Sequence, residues 1–209
     1  MGIVVLEGGG PFVANDALDR QVLGGLGGPI AILPTADAFE NPDELIASAH
    51  NWANRLNLEV VICDVFTRAD AREDHHARTV KSAKAVVLAG DSSIHLRSTL
   101  LNTPVWEAIE HQAESGIVVG VGNSAAALCD PMIDPRGGAL ALGLGLVEDL
   151  TVLPESETVP DDQRLRTVAL ASVALIELPT GTAVLKRNES WAGFGDVVIH
   201  GDVVLSSFR

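Results

Sequence analysis

A serine hydroxyl becomes a nucleophile only where the backbone presents it, and one stretch of this chain has the grammar for that. Ile117-Val118-Val119-Gly120-Val121 is an apolar run of strand formers. Gly122-Asn123-Ser124 follows, and then the small residues Ala125-Ala126-Ala127-Leu128, which suit a helix. A serine on a tight strand-to-helix turn projects its hydroxyl above the sheet, and the helix N-terminus behind it offers N–H groups to a developing oxyanion. In the usual Gly-x-Ser-x-Gly pattern the last glycine is here Ala126. On this reading Ser124 is the nucleophile and the turn needs a small residue more than a hydroxyl, so Ser124→Ala is expected to leave stability nearly unchanged.

Such a serine needs a base. His95 lies one helical turn beyond Gly90-Asp91, at the edge where a strand-to-helix turn would open, and is the candidate among the six histidines. His50, His111 and His200 read as surface or strand positions. The His75-His76 pair could ligate a metal, but it has no cysteine or spaced carboxylates near it in sequence and reads as solvated surface. Cys63 and Cys129, the two cysteines, both stand in apolar settings and read as buried free thiols. Neither is placed to replace the serine, since Cys129 lies five residues beyond Ser124, down the helix. The run Glu7-Gly8-Gly9-Gly10-Pro11 lets backbone approach a ligand or another loop. It is neither Gly-x-Gly-x-x-Gly nor a phosphate loop with a lysine. No metal and no organic cofactor is implied.

The elements that must position these residues alternate. Strands are expected at Ile3–Leu6, Pro29–Leu33, Leu58–Val65, Ala85–Ala89 and Ile117–Val121. Between them come helices from Asn15 to Leu23, from Asn41 to Leu56, after Ser92 or Ser93, and after Thr103. Asn41 with Pro42, and Thr103 with Pro104, have the form of helix caps followed by proline. Residues 69–79 read as a surface helix or loop. The order strand, helix, strand with long connections implies a three-layer α/β/α sandwich with a mostly parallel, doubly wound central sheet. After about Asp130 the texture changes. Leu140–Leu153 reads as a turn into a strand and Asp161–Leu170 as a helix. A β-rich end follows at 173–178, 182–185, 196–200 and 203–205, with hairpins or sheet edges expected around Gly181 and Gly201. No linker divides the chain, so residues 1–209 are expected to form one domain.

Composition agrees with this frame. The chain has 209 residues, 47% of them hydrophobic but 4% aromatic, so the core must be aliphatic, as buried parallel strands require. The net charge of −14 argues against nucleic acid and against anionic membranes. No apolar run approaches the ~18 residues of a membrane span. The first residues enter a strand without a basic leader, which points to a cytoplasmic location.

The order of motifs resembles the serine peptidases related to dipeptidase E and cyanophycinase, whose fold is like that of class I glutamine amidotransferases. The resemblance runs through Gly8-Gly9-Gly10, Leu33-Pro34-Thr35-Ala36, Ala89-Gly90-Asp91, Thr103-Pro104, Gly122-Asn123-Ser124-Ala125 and Gly143-Leu144-Gly145-Leu146. It implies that Ser124 is the nucleophile and that the backbone N–H groups of Gly90 or Asp91 and of Ala125 form the oxyanion hole. It implies a small peptide or amide ligand and allows two copies of the chain to pair. The departures are as informative. Where the family has its histidine base, this chain reads Leu153-Pro154-Glu155-Ser156. Where the family has Ile-Asp-Glu-x-Thr, this chain reads Leu178-Pro179-Thr180-Gly181-Thr182. A solvated Glu155, with a pKa of about 4, is a weak base toward serine. The chain is therefore expected to be a divergent member with weak or no peptidase activity. The alternative is an active serine-type hydrolase that uses His95 or Glu155 as a substitute base.

Overall fold

The computed structural model describes residues 2–148 and 150–208. In chain order its elements are β1 (Ile3–Glu7), α1 (Asp16–Leu23), β2 (Ile30–Leu33), α2 (Pro42–Leu56), β3 (Val60–Ile62), α3 (Asp74–Ser82), β4 (Ala85–Leu88), α4 (Ser93–Leu100), α5 (Pro104–Ser115), β5 (Ile117–Val121), α6 (Asn123–Leu128), β6 (Met132–Ile133), β7 (Leu140–Ala141), β8 (Leu150–Pro154), α7 (Asp161–Leu170), β9 (Ala174–Leu178), β10 (Ala183–Arg187), β11 (Ser190–Phe194), β12 (Val198–His200) and β13 (Leu205–Ser207). Asp149, inside the run read as a turn into a strand, lies outside the described residues, as do Met1 and Arg209.

The central sheet has the strand order β13-β11-β10-β1-β5-β4-β2-β3. Its five strands from β1 to β3 are parallel. A second sheet of order β12-β9-β8 is built from the C-terminal half. The near-continuous apolar runs explain the parallel part, because both of its faces are covered. Val4, Leu6, Ala31, Leu33, Val86 and Leu88 point into one apolar cluster, with Leu96, Trp106 and Ile109 from α4 and α5. Their neighbours Val5, Ile32, Val87 and Val119 point into the other, with Leu18 of α1 and Trp52 of α2. This is the period-2 alternation of a strand with core on either side. Among the described residues no helix is long and apolar enough to cross a membrane.

Several local expectations needed revision. The third strand is three residues long, Val60–Ile62. Ser92 and Thr103 cap α4 and α5 as read, accepting from the His95 and Trp106 amides. Asn41 makes no side-chain cap, because its amide donates to Glu44 Oε2 at 2.7 Å instead. Gly181 and Gly201 do not close hairpins, since β9 and β12 belong to the second sheet while β10 and β13 belong to the first. The hairpin in this region joins β10 to β11 through Asn188-Glu189, with Arg187 paired to Ser190 and Asn188 at φ 53°. Asparagine tolerates the left-handed region this turn uses, so the hairpin lacks the expected glycine.

Candidate functional site

The C-terminal ends of β1, β4, β5 and β8 converge at one edge of the fold, and each ends in backbone that departs from regular structure. After β1 come Gly8, Gly9 and Gly10, the last two at φ 156° and 64°. After β4 comes Gly90 at φ 117°. After β8 comes Glu155 at φ 48° and ψ 36°.

The turn from β5 into α6 is built by two glycines. A side chain on Gly120 would lie 2.8 Å from Ala125 Cα and 2.8 Å from Leu128 Cδ1, so its absence is what allows the helix to pack back on the strand. Gly122 is the apex, at φ 60° and ψ −130°, and its N–H donates to the Glu7 carbonyl at 3.0 Å, tying the turn to β1. Space for a side chain exists at the apex: a Cβ built there finds Gly9 Cα at 3.8 Å and nothing nearer. The residue that occupies this outward position has no side chain.

Ser124 is not at the apex. It is the second residue of α6, fully buried, and its hydroxyl donates to the Gly90 carbonyl at 3.3 Å. There it braces the β4 turn against the elbow. The Gly-x-Ser-x-Gly frame therefore falls on Gly120-Val121-Gly122-Asn123-Ser124, with Gly122 in the serine's place and Ser124 in that of the final glycine.

The other expected participants are also committed elsewhere. The Ala125 N–H donates to the Gly122 carbonyl at 2.9 Å, so it is not a spare oxyanion donor. The Asp91 N–H serves the Asp37 carboxylate. The carbonyl of Gly90 faces Ser124; a Cβ at this glycine would lie 2.6 Å from the Asp37 amide, and only glycine fits so close an approach. His95 turns away from the elbow. Its Nε2 lies 2.8 Å from the Phe66 carbonyl and 3.3 Å from Thr99 Oγ1, and its ring meets the edge of Phe39. Among the described residues no hydrogen bond joins Ser124 to His95 or to Glu155.

Glu155 does stand at the site, on the far side of the glycine loop. Its N–H donates to the Gly8 carbonyl at 2.7 Å, and its carboxylate accepts from the Gly10 N–H. Its side chain fills the space next to Gly9, which any side chain on Gly9 would need. Burial pushes its pKa above the usual carboxylate value, and the nearby charges of Asp91 and Glu157 add to that. Asp37 is raised as well, by burial first and by Asp91 second. Thr180, where the family carries an acid, is turned to the Glu157 carboxylate, to which it donates its backbone N–H at 3.1 and 3.2 Å and its side-chain hydroxyl.

A cleft of about 170 Å³ opens beside the elbow. Ile133, Leu153 and Val159 form apolar walls, and Asn123, Glu155 and Gln163 supply polar groups. A neighbouring cleft of about 250 Å³ runs along Pro11, Asp37, Asn41, Glu44, Gly90 and Asp91. Small mixed clefts at the carboxyl ends of parallel strands are where ligands of such folds bind. Asn123 and the glycine apex carry no signal in the sequence beyond their place in the Gly-rich run.

The thiols are chemically quiet. Cys63 Sγ lies 3.4 Å from His76 Nδ1, and burial, followed by the Asp64 charge, pushes its pKa to about 12. Cys129 is also pushed up to about 12 by burial. Among the described residues no three His, Cys, Asp or Glu side chains are grouped to hold a metal ion.

Comparison with known proteins gives the following. No family model matches the chain. It is 29% identical to the cyanophycinases of Synechococcus elongatus and Thermosynechococcus vestitus, across 72% of this chain and 51% of each relative. The chain thus spans about half the length of the curated relatives it matches. Among solved structures it is similar to a peptidase from an acI-B1 actinobacterium, with TM-score 0.84, 25% identity, and coverage of 96% of this chain and 91% of that one. The fold is also that of a putative peptidase E protein from Listeria monocytogenes EGD-e, with TM-score 0.72, 16% identity, and coverage of 93% and 98%.

Proposed function

We propose that this chain, a divergent member of the cyanophycinase and peptidase E-like family, does not act as a serine peptidase and uses the cleft at its elbow to bind a small peptide or amide ligand. One observation carries the reading. The apex of the strand-to-helix turn is Gly122, while the hydroxyl of Ser124 is buried and spent on the Gly90 carbonyl. A nucleophile has to reach both its base and the substrate carbonyl, and a fully buried hydroxyl facing a main-chain oxygen reaches neither. The occupied N–H groups of Asp91 and Ala125 support the same reading, because an oxyanion gains only from donors aimed at it. Glu155, half-buried and held by Gly10, serves better as a wall of the cleft than as a base for Ser124.

The test is turnover. The chain is incubated with aspartyl dipeptides and with a β-aspartyl-arginine dipeptide, and free amino acids are measured. The expected result is no release above the uncatalysed background. Release that Ser124→Ala abolishes would overturn the proposal.

A further inference from the structure

Beneath the glycine loop lies a group of side chains that the cleft does not use. Glu7, the last residue of β1, is 3% exposed, and Asp19 of α1 is 6% exposed. Their carboxyl groups lie together in this buried pocket and act on one another. Asn15 Nδ2 donates to Glu7 Oε2 at 2.7 Å and reaches the Gly9 carbonyl at 3.4 Å, linking the acid to the loop above it. Trp52 Nε1 of α2 donates to Asp19 Oδ2 at 2.8 Å. The main chain of Glu7 holds the elbow, through the bond from Gly122 N–H to its carbonyl.

The charged groups around the pair are few and committed. Arg55 of α2 is 2.7 Å from Asp16 Oδ2 and donates to the Phe12 carbonyl at 2.7 Å. Arg20 of α1 lies 3.9 Å from Asp16. The strands beside β1 place Ala183 and Val121 opposite Glu7, so neither brings a charge. Arg55 is the cation that acts on Asp19, and its guanidinium is already bound to Asp16; two buried carboxyl groups side by side, without a cation seated between them, hold one proton between them.

We propose that Glu7 and Asp19 form a proton-linked latch: while they share a proton they hold α1 and the Gly8–Phe12 loop down on the end of β1, and loss of that proton frees the loop that walls the elbow. Phe12 gives the latch something to release. It sits at φ 64°, a left-handed conformation in which a bulky residue is strained. It is kept there by the Trp52 ring at 5.3 Å and by Arg55 on its carbonyl. Strain of this kind persists only where the surroundings over-determine it.

The direction with pH follows from both acids being raised. Burial is the largest cause for each, lifting Glu7 well above its ordinary value and Asp19 to about 6. The folded protein then binds more protons than the unfolded chain between the ordinary carboxylate range and the raised values. The latch is full below about pH 4 and is lost as the pH rises through about 6 and beyond.

The experiment is amide hydrogen exchange of the full chain from pH 5 to pH 8, wild type against Glu7→Gln, compared at each pH so that intrinsic exchange cancels. Glutamine keeps the contact from Asn15 and donates permanently to Asp19. Exchange of residues 8–12 should match at pH 5. At pH 8 it should be at least about tenfold faster in the wild type, the factor of one pKa unit. The same ratio at both ends of the range would overturn the latch. Should Glu7→Gln not fold, carboxyl-carbon titration of the wild type by NMR decides. The expected result is that the pair retains a proton above pH 6, whereas both groups titrating in the ordinary carboxylate range would overturn it.

Discussion

The turn after β5 and the turn after β8 face the same cleft through Asn123 and Glu155, and both hold a residue at positive φ. At Gly122 that conformation is free of steric cost and the position carries no side chain, although there is room for one. At Glu155 a carboxylate-bearing residue occupies the left-handed helical region instead, at φ 48° and ψ 36°, and strains to adopt it. In a serine hydrolase of this grammar the first turn would carry the nucleophile and the second the base. The two have diverged differently. The β5 turn has the geometry for chemistry and lacks the group. The β8 turn has a titratable group, but the glycine loop captures its carboxylate. At both turns the backbone geometry is held by packing and main-chain hydrogen bonds, whatever side chain the position carries.

That contrast can be broken most strongly by refilling both positions. Gly122→Ser combined with Glu155→His should react with a fluorophosphonate probe on the order of 10²-fold faster than Gly122→Ser alone, the contribution of a positioned base. Equal rates for the two would mean that the β8 turn does not face the apex. A second change attacks the geometry. Gly120→Ala drives a methyl into Ala125 and Leu128 and should cost about 1–3 kcal/mol in denaturant unfolding. An unchanged midpoint would contradict the claim that Gly120 sets the elbow.

Smaller effects separate the two turns. Ser124→Ala removes the hydroxyl that satisfies the Gly90 carbonyl and should lower stability by roughly 1 kcal/mol, the size of one buried hydrogen bond. This revises the neutral outcome expected when the serine is taken as an outward-facing nucleophile. Glu155→Gly relieves the left-handed backbone and removes a charge set against Asp91 and Glu157. Offset by the entropy of glycine, it should raise stability by about 0.5 kcal/mol. A fall in the unfolding midpoint would mean that the Gly10 contact outweighs the strain.

What could be read from the sequence was what local physics determines. The strands Ile30–Leu33, Ala85–Leu88 and Ile117–Val121 are apolar runs that only a sheet covered on both faces explains. The caps at Ser92 and Thr103 depend on the next three residues alone. The motif order led to the right fold and to cyanophycinases as relatives that the chain resembles at 29% identity. The register of the elbow was not legible, because Gly120-Val121-Gly122 and Gly122-Asn123-Ser124 both fit a glycine two residues before the apex. The choice between them is made by Gly120 packing against α6, a tertiary contact. The fate of His95 is likewise tertiary, set by the Phe66 carbonyl 29 positions away in the chain. Arg164 and Arg166 both stand on α7. Here Arg164 pairs with Glu177 at 3.1 Å and Asp161 at 2.8 Å, and Arg166 donates to the Gly137 carbonyl at 2.6 Å. Asp161 is the i,i+3 neighbour that a helix supplies locally, whereas no local pattern announces Glu177 or Gly137.

Ser124 is a buried brace and Gly122 is the apex of the elbow. Treating the wild-type protein and Gly122→Ser with a fluorophosphonate probe, and mapping any adduct by peptide mass spectrometry, tests it most directly. No adduct is expected on the wild type, and slow modification is expected at position 122 of Gly122→Ser. An adduct on Ser124 of the wild type, lost in Ser124→Ala, would contradict the assignment of Ser124 as a brace.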